Sequence, residues 1–162
     1  MKHQRSISIT RLFDAPRERV FAAWTRAEML AHWFGPKGFS VPACESDPRP
    51  GGVFRVCMRS PEGKDYWVRG TYREVRPAER LVIDCVADDA EGVQRLEEVI
   101  DVSFAAQGAR TRLTVSCTSG GPSPEAAEML RGMDTGWRQS VDKLGVQLDP
   151  KSVNGKEQAP KS

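Results

Sequence analysis

Six large apolar residues near the C-terminus, Leu130, Met133, Trp137, Val141, Leu144 and Leu148, recur at intervals of three, four, four, three and four. That is the period of one continuous helix face. The stripe follows a long stretch of chain, residues 39–118, whose apolar period is two. A rod with one apolar face and a meander with one apolar face can hide both only by lying on each other. Ser123 can cap the rod and Pro124 suits its first turn. Its expected length of about 24 residues corresponds to roughly 36 Å at 1.5 Å per residue.

The alternation resolves into separate strands. Residues 6–12 read as a first strand. Asp14 can cap, and Pro16 can open, a short helix ending near Thr25, with Val20, Phe21 and Trp24 on one side. A second short helix is expected from Ala27 to Trp33, stopped by Gly35-Pro36. Six strands follow, at residues 39–44, 53–60, 66–75, 80–87, 96–104 and 110–118, joined by hairpin-length loops such as Pro61-Glu62-Gly63-Lys64. Ser119 to Pro124 reads as a hinge-like linker. The expected order is therefore β-α-α-β6-α, an α+β fold with an antiparallel sheet of about six or seven strands curved around the terminal helix. Residues 5–148 are expected to form one domain, and residues 149–162 a polar, disordered tail.

A straight rod laid across a bent sheet leaves a gap along its length, a natural cavity. Alternation assigns its sheet lining to Phe54, Val56, Met58, Val68, Tyr72, Ile83, Cys85, Ile100 and Val102. Met133 and Trp137 face it from the helix, and Trp33 and Phe34 stand at its mouth. Glu98 shares the parity of Leu96, Ile100 and Val102, so a carboxyl group is expected to point inward unless a strand end or bulge frees it. Burying a carboxylate is costly without a partner or a ligand. Tyr66, Tyr72 and His32 are the other candidate polar or acid–base groups.

Several classes of function are disfavoured. Lys plus Arg number 24 against 22 for Asp plus Glu, a net charge of +2, with no clustered basic face for nucleic acid. Arg55, Arg59, Arg69 and Arg73 fall at strand spacing among acids and read as a solvated sheet face. No apolar run suits a membrane span or a signal peptide, so a cytoplasmic protein is expected. Cys44, Cys57, Cys85 and Cys117 lie singly in strand-like runs, far in sequence from His3 and His32. They read as reduced small hydrophobes, with no metal and no cofactor expected.

A series of short motifs carries a resemblance. In order they are Phe13-Asp14-Ala15-Pro16-Arg17-Glu18-Arg19-Val20-Phe21-Ala22-Ala23-Trp24, His32-Trp33-Phe34-Gly35-Pro36, Gly51-Gly52-Val53-Phe54-Arg55, Met58-Arg59-Ser60-Pro61-Glu62-Gly63, Gly70-Thr71-Tyr72-Arg73-Glu74-Val75, Pro77-Ala78-Glu79-Arg80-Leu81, Gly108-Ala109-Arg110-Thr111-Arg112-Leu113 and Gly136-Trp137-Arg138-Gln139-Ser140-Val141-Asp142-Lys143-Leu144. Together they resemble the activator-of-heat-shock-protein-ATPase homologue family of the START-like, or SRPBCC, superfamily. The resemblance implies a helix-grip fold and a hydrophobic ligand cavity, and supplies no universal catalytic motif. Similar proteins include co-chaperone domains and resistance proteins that sequester toxic products; more distant ones are lipid carriers, hormone receptors and aromatase/cyclases. The favoured expectation is binding of a small hydrophobic or aromatic molecule, for sequestration, transport or resistance to stress. An enzyme of polyketide cyclase or hydrolase type, using Glu98, Tyr66, Tyr72 or His32, ranks below it because no nucleophile–base pairing is visible. A chaperone-associated module also ranks below it, since the eukaryotic co-chaperones carry an N-terminal domain that is not seen here. A homodimer through a sheet edge or the outward Trp67 is a further alternative.

Overall fold

The computed structural model describes residues 2–148; the expected polar tail lies outside them. Seven strands build one antiparallel sheet: β1 (His3–Phe13), β2 (Ser40–Ser46), β3 (Val53–Arg59), β4 (Asp65–Arg76), β5 (Arg80–Asp88), β6 (Gln94–Gln107) and β7 (Arg110–Gly121). Their spatial order is β1-β7-β6-β5-β4-β3-β2. The meander therefore pairs neighbour with neighbour, and the first strand closes onto the last, with Ile9 opposite Val115. The helices are α1 (Arg17–Thr25), α2 (Ala27–Leu30), α3 (Pro124–Arg131) and α4 (Met133–Leu148). This is the α+β arrangement that the two periods imply, and the helix-grip fold that the resemblance implies.

The sheet is bent by named irregularities. Register shifts occur in β2 between Ser40 and Ala43, in β4 between Tyr72 and Glu74, and in β6 at Arg95, the extra residue opposite Ala87 and Asp88 of β5. Such bulges bend a strand and increase its twist. Gly70 is required for the same curvature: a Cβ there would lie 1.9 Å from the Asp84 carbonyl oxygen and 2.6 Å from Cys85 Cα. Only a residue without a side chain lets β4 come so close to β5.

The two sheet faces differ as the alternation requires. Phe54, Val56, Val68, Ile83, Ile100, Val102, Leu113 and Val115 are buried with Val20, Trp24, Val141 and Leu144 of the helices in one continuous core. The outer face carries a ladder of arginine–carboxylate pairs. Arg55 meets Glu45 at 3.3 Å, Arg59 meets Asp65 at 2.8 Å, and Arg73 binds Asp84. The outward Trp67 is partly covered by the Arg55 guanidinium, 4.4 Å from its ring centre.

Several local expectations need correction. The terminal rod is two helices, because Gly132, a poor helix former, interrupts it as a turn between α3 and α4. The apolar stripe nevertheless stays continuous across the break, with Leu130, Met133, Val141, Leu144 and Leu148 all buried. Asp14 does not cap α1; Pro16 occupies that position without a side-chain bond, and Asp14 instead faces Arg110 at 3.9 Å. The second helix ends at Leu30, and residues 31–33 continue as turns. The hinge-like segment is partly strand, since β7 runs through Ser119 and Gly120 to Gly121. Ser123 does cap α3, its hydroxyl accepting the Ala126 N–H at 3.1 Å.

Candidate functional site: an apolar cavity between sheet and helices

The space between sheet and helices is filled at one end and open at the other. At the filled end, aromatic rings interlock. Trp24 meets Trp33 edge-on with ring centres 4.7 Å apart and stacks on Trp137 at 6.1 Å. Phe34 lies 5.7 Å from Trp137 and 5.9 Å from Phe54, and Phe54 lies 5.8 Å from Tyr72. Edge-to-face rings of this kind fill volume efficiently. Trp137 and Phe34 are the last rings of the cluster, and beyond them lies a cavity of about 280 Å³.

Three elements enclose it. The sheet contributes Met58, Tyr66, Val68, Leu96, Glu98 and Ile100. The helix pair contributes Met129, Gly132, Met133, Gly136, Trp137 and Ser140. The loop after α2 contributes Phe34, Gly35, Pro36 and Phe39. Gly132 and Gly136 sit one turn apart on the helix wall; a Cβ at Gly136 would stand 3.3 Å from Pro36 Cγ, so this glycine lets the loop wall pack close. Gly132 is exposed, and a Cβ built on it meets no atom within 4 Å, which places it at the mouth.

The loop wall is held by polar contacts from α4. The Gly35 N–H donates to Ser140 Oγ at 3.1 Å, and the Lys37 N–H donates to Gln139 Oε1 at 3.0 Å. Lys143 Nζ donates to the Pro36 carbonyl at 3.1 Å. Partial burial pushes the Lys143 ammonium below its ordinary pKa.

Glu98 points to the inner side, as its parity requires. It is half-buried and belongs to the cavity wall. Ser119 Oγ donates to its Oε2 at 2.9 Å, and the Cys85 thiol approaches Oε1 at 3.8 Å. Desolvation raises the Glu98 pKa above its ordinary value, and the Ser119 and Cys85 contacts partly counter that. Among the described residues, no Arg, Lys or His lies on the wall. The second carboxylate there, Asp88, is neutralised by a two-pronged pair with Arg69 at 2.9 and 3.1 Å. Among the described residues, no group of three or more His, Cys, Asp and Glu side chains is placed to hold a metal ion.

The structure divides the residues expected to line the site. Phe34, Met58, Val68, Glu98, Ile100, Met133 and Trp137 are on the wall. Trp33, Phe54, Val56, Tyr72, Ile83, Cys85 and Val102 are not; they are buried core behind it. Trp33 is no mouth residue, because its Nε1–H donates to the Ala23 carbonyl at 2.9 Å and fixes the ring inside. Tyr72 is engaged with Ser46, oxygen to oxygen 2.6 Å, and burial pushes its phenol up to about 12. His32 is exposed and off the wall. Of the four candidate acid–base groups, only Glu98 and Tyr66 reach the cavity.

Other wall residues escaped sequence reasoning. Leu96 was detectable by its parity with Ile100. Gly35, Pro36 and Phe39 belong to a loop without periodicity. Gly132 and Gly136 act by lacking side chains. Ser140 carries no signal beyond a polar position beside the helix stripe.

The solved structures that resemble this chain share the fold. A protein of Chromobacterium violaceum is 28% identical with a TM-score of 0.75, covering 90% of this chain and 97% of that one. A Silicibacter pomeroyi protein described as AHSA1 is 25% identical with a TM-score of 0.74, covering 89% and 97%. A protein of Arthrobacter aurescens, 23% identical with a TM-score of 0.75 and covering 96% and 93%, matches in fold. No curated protein matches the chain. Residues 14–149 match the family described as Activator of Hsp90 ATPase homolog 1-like protein, and the chain belongs to that family.

Proposed function

We propose that the protein binds a small hydrophobic or aromatic molecule in the cavity between sheet and helices. The observation that carries this reading is an apolar hollow that the fold leaves unfilled although long side chains surround it. Gly132 leaves open space at the mouth, Gly136 lets Pro36 pack close, and three polar contacts from α4 hold the loop wall in place. A volume of about 280 Å³ lies just below the ~300–1,000 Å³ range of ligand pockets, which suits a small molecule of one to three rings. Met58, Met129 and Met133 offer shape-tolerant contact, and Trp137 and Phe34 a flat aromatic surface. Sequestration or carriage needs nothing more than such a site. The four free cysteines suit a reducing compartment such as the cytoplasm.

Titration with the neutral, polarity-sensitive fluorophore N-phenyl-1-naphthylamine tests the reading. Saturable, blue-shifted emission that is lost in Gly132→Leu is expected. Absence of saturable binding, or equal binding by the Gly132→Leu protein, would contradict it.

A further inference from the structure

Beside the neutral hydroxyls of Tyr66 and Ser140, the charged groups of the described cavity wall are two carboxyl groups, and these stand in different electrical states. Asp88 belongs to an ion pair with Arg69. Among the described residues, the donors to Glu98 are neutral, Ser119 and Cys85. A carboxylate offers about four lone-pair sites over its two oxygens, so two such contacts leave acceptor capacity unused. An unpaired carboxyl group is costly to keep in an apolar wall. It becomes favourable when an occupant brings the complementary charge and a donor.

We infer that the molecule this cavity takes is a compact aromatic or alicyclic amine, its protonated nitrogen directed at the Glu98 carboxyl group and its ring system against Trp137 and Phe34. This rests on the ligand-binding reading above and names the chemical class of the ligand. Among the described residues, the wall holds no Lys, Arg or His to receive an anion. A fatty acid or other carboxylate would set a like charge against Glu98 in a poorly solvated site, a repulsive element that discriminates between ligands. A cation is also attracted by the negative faces of aromatic rings. The fixed geometry of Ser119 supports Glu98 from behind: the two residues are direct partners across β6 and β7, so the carboxyl group is held in place before any ligand arrives.

Three probes of one shape test the assignment in the whole protein: 1-naphthylmethylamine, 1-naphthylmethanol and 1-naphthoate, titrated by calorimetry at neutral pH. The amine should bind about tenfold or more tightly than the alcohol, because only the amine brings a charge opposite to that of the carboxylate. The naphthoate should bind weakest. Glu98→Gln should abolish the amine's advantage over the alcohol. The wild-type ranking reads the same chemistry without any substitution, so a poorly folding variant does not blunt the test. Equal binding of all three probes, a preference for naphthoate, or an amine preference that survives in folded Glu98→Gln overturns the amine assignment and leaves the cavity function standing. Failure of every probe to bind overturns both.

Discussion

The Gly35 N–H donates to Ser140 Oγ at 3.1 Å, and the same oxygen donates to the Gly136 carbonyl at 3.0 Å. One buried hydroxyl thus joins the loop wall of the cavity to its helix wall. Ser140→Ala leaves the Gly35 N–H without its acceptor, a cost of about 1–3 kcal/mol. In a domain of this size that corresponds to a melting temperature lowered by about 2–4 °C per kcal/mol. Probe affinity should fall as well, because the loop contributes Phe34, Pro36 and Phe39 to the wall. Thermal unfolding and a probe titration on the variant check both effects; an unchanged melting temperature would show that Gln139 and Lys143 hold the loop unaided.

Gly132 separates stability from binding. It has ordinary right-handed geometry, φ −91° and ψ −2°, and open space where a side chain would stand. Gly132→Ala should raise stability by about 0.5–1 kcal/mol, the usual gain over glycine near helical geometry. Gly132→Leu should fold equally well and lose probe binding, since its side chain enters the mouth. Denaturant unfolding and fluorescence titration of the two variants give the comparison. A destabilised Gly132→Ala protein would mean that the break between α3 and α4 needs glycine.

Tyr72 supplies the opposite control. Its hydroxyl bonds Ser46, which in turn donates to the Thr25 carbonyl at 2.6 Å. Tyr72→Phe should cost about 1 kcal/mol, the value of one hydrogen bond, and leave probe affinity unchanged because the ring lies off the wall. A large loss of binding measured in this variant would place the ligand in the aromatic core instead.

Acidification should act on Glu98 in a defined window. Burial raises its folded pKa above the ordinary 4.5. Below that value the group is protonated in both folded and unfolded chains and contributes nothing. As pH rises past it the unfolded chain ionises first, and stability is lost until the folded group ionises too. Glu98→Gln removes this loss. Its stability relative to wild type should therefore be greatest at pH 7 and shrink toward pH 4.5. Asp65 and Asp89, whose hydrogen bonds from Arg59 and Arg95 hold them below the ordinary 3.8, act in the opposite sense and only at lower pH. Denaturant unfolding of both proteins across this range checks the trend, and a gap that stays constant or widens on acidification contradicts it.

Periodicity carried most of the fold. Period two placed Phe54, Val68, Ile100 and Leu113 on one sheet face, and the three-four spacing from Leu130 to Leu148 laid the helices on it. Parity also brought Glu98 inward. It could not separate wall from core, because Trp33, Phe54 and Tyr72 have the same inward sense as Met58 and Val68. What divides them is which rings fill the gap, and that depends on contacts between residues far apart in the chain, such as Trp24 with Trp137. Ser119 was read as linker because Gly120, Gly121 and Pro122 follow it, yet pairing with β1 and β6 holds that segment in the sheet. Gly132 and Gly136 shape the cavity through missing atoms, which no hydrophobic pattern records.

Methyl-labelled methionine gives the most direct view of whether the cavity is a binding site. Met58, Met129 and Met133 line it, whereas Met29 does not. In a titration with 1-naphthylmethanol followed by carbon–proton NMR, the methyl signals of Met58, Met129 and Met133 should move together and saturate while that of Met29 stays still. Saturable shifts confined to Met29, or no saturable shift at the three wall methionines, would contradict a ligand between sheet and helices.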